Sequence, residues 1–142
     1  MNEYTMSQIF IGMTETFKKE ITMEMERSFR IISGDNNPLH QDDEFAREVG
    51  KGQFPSHVTF GMLTASLYST MAGMYLPGKY SLIHSFDEVA FLKPVFVGDV
   101  LTVTGKVTDK DENLGLMKIK VIIKNQENMK VSRAKMKVLV LK

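Results

Sequence analysis

An aspartate and a histidine stand five residues apart in Ser33-Gly34-Asp35-Asn36-Asn37-Pro38-Leu39-His40, on either side of a proline. Pro38 fixes its own φ, lacks an N–H and pushes Asn37 out of the α region, so the segment cannot be helix. Gly34, Asn36 and Asn37 are residue types that accept tight or left-handed backbone at little cost. The pattern predicts a bent loop that aims Asp35 and His40 at one point. An acid and a base converging on one small molecule, most simply a water, is the geometry of general acid–base catalysis. Each residue also has a plainer use. An aspartate in a turn commonly bonds its own backbone, and a lone histidine is more often structural. Their pairing around Pro38 adds weight to the chemical reading, with the plainer one still ahead on the residues alone.

A second candidate is Thr59-Phe60-Gly61-Met62-Leu63. It begins an apolar stretch with the character of a helix, and the first turn of a helix leaves N–H groups without partners. Gly61 has no side chain to shield its amide, and the helix dipole adds partial positive charge there. An oxyanion could be held at such a point. Close packing of a sheet against Gly61 explains the glycine equally well. His57 could border the same cleft, and His84 sits in a strand pattern as a sheet-face residue. No two histidines have metal-ligand spacing and no glycine-rich phosphate loop is present, so neither a metal nor a nucleotide cofactor is expected.

The elements that must position these residues follow from periodicity. A first strand is predicted over Met13 to Thr22, after a weakly patterned, partly loose stretch over residues 1–12. Met25, Phe29 and Ile32 recur at helical spacing, with Glu24, Glu26 and Arg27 available for the outer face. Thr22 is the expected N-cap and Gly34 the expected stop. That helix leads directly into the Asp35–His40 loop. A short helix follows, acidic at its start, with Phe45 and Val49 as its buried side and Gly50 as its end. Thr59 to Tyr75 carries no charge on any face, which predicts a helix buried on nearly all sides. Beyond it, Tyr80 to Leu92, Val100 to Thr108, Leu114 to Lys124 and Lys130 to Leu141 read as strands. One buried helix with four or five long antiparallel strands predicts an α+β fold, a curved sheet wrapped around the helix.

The loop also carries a resemblance. Ile31-Ile32-Ser33-Gly34-Asp35-Asn36-Asn37-Pro38-Leu39-His40 is similar to the hydratase motif of the MaoC-like, (R)-specific enoyl-CoA hydratases, which have a hotdog fold. Gly61-Met62-Leu63-Thr64-Ala65-Ser66-Leu67-Tyr68-Ser69 resembles that family's central helix, and Leu76-Pro77-Gly78 its end. Phe91-Leu92-Lys93-Pro94-Val95-Phe96-Val97-Gly98-Asp99 resembles its Pro-Val and Gly-Asp segment. The likeness covers about residues 29 to 105. It implies hydration of a trans-2-enoyl-CoA to an (R)-3-hydroxyacyl-CoA, and the reverse dehydration. Asp35 and His40 would activate the water and the Gly61 amide would bind the thioester oxygen. Asn37 and Ser69 would support the loop. The family often has a histidine immediately before the matching glycine, where this chain has Phe60.

The resemblance further implies a coenzyme A or acyl carrier protein thioester as substrate, no other cofactor, and a homodimer. Lys51, Lys79 or Lys93 could meet a CoA phosphate. Two other readings use the same fold: a non-catalytic acyl-thioester binding module, and a hotdog thioesterase. The first has no need of the Asp35–His40 pair. The second requires an acidic residue on the central helix, and Thr59–Tyr75 has none. An interaction-only protein leaves the Asp35–His40 pair without a use.

Composition bounds the rest. The 142 residues suit one domain, residues 1–142, with a core of its own. A formal net charge of +1 gives no case for nucleic acid or an anionic membrane as partner. With no cysteine there is no disulfide, thiolate site or cysteine nucleophile, which suits a reducing, cytoplasmic setting. The N-terminal residues lack a basic region before an apolar run, so no secretory signal is expected. Eleven methionines suit a core filled by flexible side chains or an adaptable pocket for an apolar ligand.

Overall fold

A computed structural model describes all 142 residues. Five strands, β1 (Thr14–Glu20), β2 (Ser81–Phe91), β3 (Val100–Asp111), β4 (Leu116–Lys124) and β5 (Lys130–Val140), form one antiparallel sheet in the order β1-β3-β4-β5-β2. Strict alternation in β4 turns Met117, Ile119, Val121 and Ile123 to the core. Across from it, β3 contributes Leu101, Val103 and Val107, and β5 contributes Ala134, Met136 and Val138. These side chains close over Leu67, Tyr68, Met71 and Ala72 of the long helix segment. That segment is α3 (Gly61–Thr70), which runs on through a π-helical turn, Met71–Tyr75. Gly105 of β3 marks how tightly the sheet wraps it, since a Cβ there would lie 2.7 Å from Met71 Sδ. This is the hotdog arrangement that the apolar run and the strand alternation imply.

The remaining helices, α1 (Met23–Ser33) and α2 (Asp43–Val49), flank the start of α3. Thr22 caps α1 by accepting the Met25 N–H, as its type and position suggest. Gly34 ends α1 in the left-handed region, at φ 72°, and donates its N–H to Arg30 O. The reversal that delivers the chain to Asp35 therefore needs a glycine.

Four expectations are corrected. The α3 helix is covered on the sheet side only: Met62 is 63% exposed, and Ser66, Ser69 and Met74 are also exposed. A cavity of about 780 Å³ lies between α3 and α1, lined by Met25, Phe29, Leu63 and Ser66 among others, so the lack of charge on this face does not mean burial. In α2 the buried residue is Ala46, while Phe45 and Val49 are 37% and 48% exposed. In α1, Glu26 is 2% exposed whereas Ile32 is 81% exposed, the reverse of what helical apolarity predicts. Residues 1–12 are anchored, not loose. Asn2, Tyr4 and Met6 donate backbone N–H groups to Met74, Pro77 and Lys142, and Ile9 is in the core. Those partners are more than 70 residues away in sequence, which local patterning cannot register.

Candidate active site

The loop after α1 is built from side chains bonding backbone. Asp35 Oδ1 accepts the Asn37 N–H at 3.0 Å, and Asn37 Oδ1 accepts the Leu39 N–H at 3.0 Å. The second contact caps a single 3-10 turn, Pro38–His40, with Pro38 in its first position. Asn37 thus supports the loop directly. The Asp35 carboxylate is exposed, with its second oxygen unbonded.

His40 is fixed from two sides. Its Nδ1 lies 2.7 Å from the Val58 carbonyl oxygen. A carbonyl only accepts, so Nδ1 carries the proton, and in the neutral ring Nε2 keeps its lone pair. The imidazole also packs on Phe60, centroid to centroid 4.3 Å, and Phe60 packs on Phe29 at 5.0 Å. Phe60 is therefore a buried buttress for His40. Its position before Gly61 supplies shape rather than a polar group.

Gly61 opens α3, and none of the chain's own hydrogen bonds uses its amide. An added Cβ would touch the Phe91 ring at 3.4 Å. Asp35, His40 and Gly61 line one cavity of about 250 Å³, whose walls are Phe29, Ser33, Phe60, Met62 and Phe91. No hydrogen bond joins Asp35 to His40 across it. His40, Gly61 and Phe91 also line a neighbouring cavity of about 320 Å³ that reaches Thr64, Lys93 and Val131. The polar groups are few and converge within apolar walls, the usual make-up of a small-molecule site. No group of three or more His, Cys, Asp or Glu residues could hold a metal ion.

Other predicted residues lie elsewhere. Ser69 is exposed on the uncovered face of α3, two turns beyond Gly61, and makes no hydrogen bond to the loop. Its place on a regular helix carries it away from the helix N-terminus, so this chain alone gives it no supporting contact. Lys93 lines the neighbouring cavity, whereas Lys79 pairs with Glu3 on the surface and Lys51 lines neither cavity. His84 bonds only Ser85 Oγ, on the exposed side of β2.

A second constellation was not legible in the sequence. His57 Nε2 lies 2.8 Å from Glu26 Oε2, and its Nδ1 lies 2.6 Å from Asp43 Oδ1. Thr59 donates its hydroxyl to Glu26 Oε1 at 2.7 Å. Burial lowers the His57 pKa, but hydrogen bonds and charge from Asp43 and Glu26 outweigh it and raise the net value above the ordinary histidine range. Asp43 moves the other way: the His57 backbone N–H, and then its ring, hold the carboxyl below the usual range. His57 does not line the cleft as expected; it points into this cluster. A glutamate aligned with exposed residues on α1 gave no signal of being buried.

A family model for the MaoC like domain matches residues 8–131. This chain belongs to the MaoC-like family. It is 38% identical over 98 residues to an (R)-specific enoyl-CoA hydratase of Aeromonas caviae, covering 69% of this chain and 70% of that protein. It is 33% identical over 99 residues to a 3-hydroxybutyryl-CoA dehydratase of Methylorubrum extorquens, covering 70% of this chain but only 60% of that enzyme. Among solved structures, the (R)-hydratase from A. caviae involved in PHA biosynthesis superposes with a TM-score of 0.84 at 30% identity, over 93% of this chain and 97% of that one. An R-hydratase from Pseudomonas aeruginosa in its unliganded form superposes at 0.86 over 96% of this chain and 84% of that one. At 24% identity, that second likeness speaks for the fold alone. The MaoC-like chain thus shares its hotdog fold with hydratases of known structure.

Proposed function

We propose that this MaoC-like protein adds water to a trans-2-enoyl-CoA, giving an (R)-3-hydroxyacyl-CoA, and catalyses the reverse dehydration. The observation that carries this reading is the single cavity shared by Asp35, His40 and the unbonded Gly61 amide. The thioester carbonyl sits on the Gly61 N–H, which stabilises the negative charge that grows on oxygen during addition. One such donor is worth about 2.7–4 kcal/mol of barrier. Water lies between the free oxygen of Asp35 and Nε2 of His40. Its oxygen bonds C3, its proton passes to the Asp–His pair, and a proton from the pair goes to C2. The reaction is balanced by water alone and needs no cofactor.

Names of two relatives favour an acyl-CoA as the thioester, and Lys93 beside the adjoining cavity supplies a cation for a phosphate. The absence of cysteine suits a cytoplasmic site of action, and no helix is long and apolar enough to cross a membrane. Two copies pair through the edge strand β2, whose Leu82, Phe86, Val89 and Phe91 are exposed and apolar. Sedimentation should give a dimer. Loss of enoyl-thioester absorbance with crotonyl-CoA tests the activity. Asp35→Asn should lower kcat by at least about 100-fold, and near-normal hydration by that variant would end the assignment.

A further inference from the structure

Segment 57–61 supplies two parts of the site: the Val58 carbonyl that holds His40 and the Gly61 amide. Val58 also donates its N–H to Leu39 O at 2.9 Å, so it binds the catalytic loop twice. The residues on either side of Val58 are tied to one carboxylate. His57 meets Glu26 Oε2 and Thr59 meets Glu26 Oε1. Asp43 then takes both the backbone N–H of His57, at 2.9 Å, and its ring Nδ1. With a carboxylate on each ring nitrogen, His57 donates from both. A buried glutamate is costly unless paired and hydrogen-bonded. Here both of its oxygens are used to hold the two neighbours of Val58.

We propose that Glu26 and His57 are positioning residues for the hydratase site: their contact fixes residues 57–59, so that Val58 holds His40 in the Nδ1–H form and Gly61 presents its amide to the substrate. Neither side chain touches the cavity, so neither is a catalytic residue. The bland alternative is that the cluster only fastens α1 and α2 to the loop. The two differ in what happens to His40 when the clamp is loosened.

The test uses ¹⁵N-histidine-labelled protein and long-range ¹H–¹⁵N spectra, which report the His40 tautomer without substrate. The wild type should show protonation at Nδ1. In Glu26→Gln and His57→Gln, His40 should become a mixture of tautomers, and kcat should fall about 10- to 100-fold with KM little changed. The pH profile gives a second readout. The charged groups facing His57 are Glu26, Arg27 and Arg30 from α1, and Asp43 with Arg47 behind it from α2. Removing the Glu26 charge should let His57 deprotonate at lower pH, so the alkaline fall in rate should move to lower pH in Glu26→Gln. Asp43→Ala serves where the buried variants do not fold, because Asp43 is 49% exposed.

Folded variants with the wild-type His40 tautomer and unchanged kcat per folded molecule would overturn the proposal. So would a uniform loss of rate with the pH profile unmoved. The positioning claim rests on the hydratase reading only for its kinetic half. A tautomer shift in a protein that hydrates no enoyl thioester would uphold the clamp and reject the reaction.

Discussion

Two acid–histidine groupings flank the same short segment, and they are built in opposite ways. Asp35 and His40 face a cavity, share no bond and leave one carboxylate oxygen and one ring nitrogen free. Glu26, His57 and Asp43 bond to one another, and the Glu26 oxygens and both His57 nitrogens are used. Glu26 and His57 thus have no hydrogen-bonding capacity left for a substrate. The Asp35–His40 grouping is held by backbone contacts and leaves an oxygen and a ring nitrogen without partners at the cavity. The presence of an acid and a histidine does not separate chemistry from structure; the unspent hydrogen-bonding capacity does.

The largest effect that sharpens this contrast is expected at His40. His40→Gln should lower crotonyl-CoA hydration about 10²- to 10⁴-fold while the urea midpoint barely moves. Glu26→Ala should show first in stability, destabilising the fold by about 2–3 kcal/mol, because it leaves His57 Nε2 and the Thr59 hydroxyl without their acceptor while Asp43 still pairs with the His57 ring. Equilibrium urea unfolding measures it, and a loss below about 1 kcal/mol would break the contrast. Gly61→Ala keeps the amide, and its methyl meets the Phe91 ring at ordinary contact distance, so the fold should barely change. The methyl crowds a carbonyl approaching the amide, and about 1 kcal/mol of barrier, roughly 5-fold in kcat/KM, is expected.

Smaller still is the pH dependence of stability. The folded-state pKa of His57 is raised, so its contribution is complete below the ordinary value of 6.5 and is lost as pH rises through the folded value. Asp43 is depressed, so its contribution is complete above 3.8 and is lost as pH falls through its lowered value. The urea midpoint should therefore decline on the alkaline side of 6.5, and this decline should vanish in His57→Gln. Finally, dialysis against EDTA should leave hydration unchanged, and a loss restored by a divalent cation would contradict a cofactor-free site.

Much of this was legible along the chain. The β4 alternation Met117, Ile119, Val121, Ile123 announces a one-sided strand, and Thr22 and Gly34 mark both ends of α1. The Asn37-Pro38 pair requires a turn, so Asp35 and His40 had to project from a loop. Less legible was everything that depends on what lies opposite a side chain. Phe45 and Val49 have apolar spacing but stay partly exposed, whereas Ala46 is fully buried. Ser69 lies on the uncovered face of α3, and no hydrogen bond within the chain ties it to the loop. Glu26 has the sequence context of a solvent-facing residue, and only a histidine and a threonine more than 30 residues later make its burial tolerable.

Composition and local order alone determined the class of fold, the turn that carries Asp35 and His40, and the bare amide at the head of α3. These follow from steric limits on single residues and from periods of two and 3.6, which are properties of a short stretch. Tertiary structure decided which face of α3 stays open, that Phe60 backs His40, and that Glu26 is sealed in with His57. Those outcomes depend on distances between residues far apart in sequence, and a buried charge is acceptable only where such a distance brings it a partner.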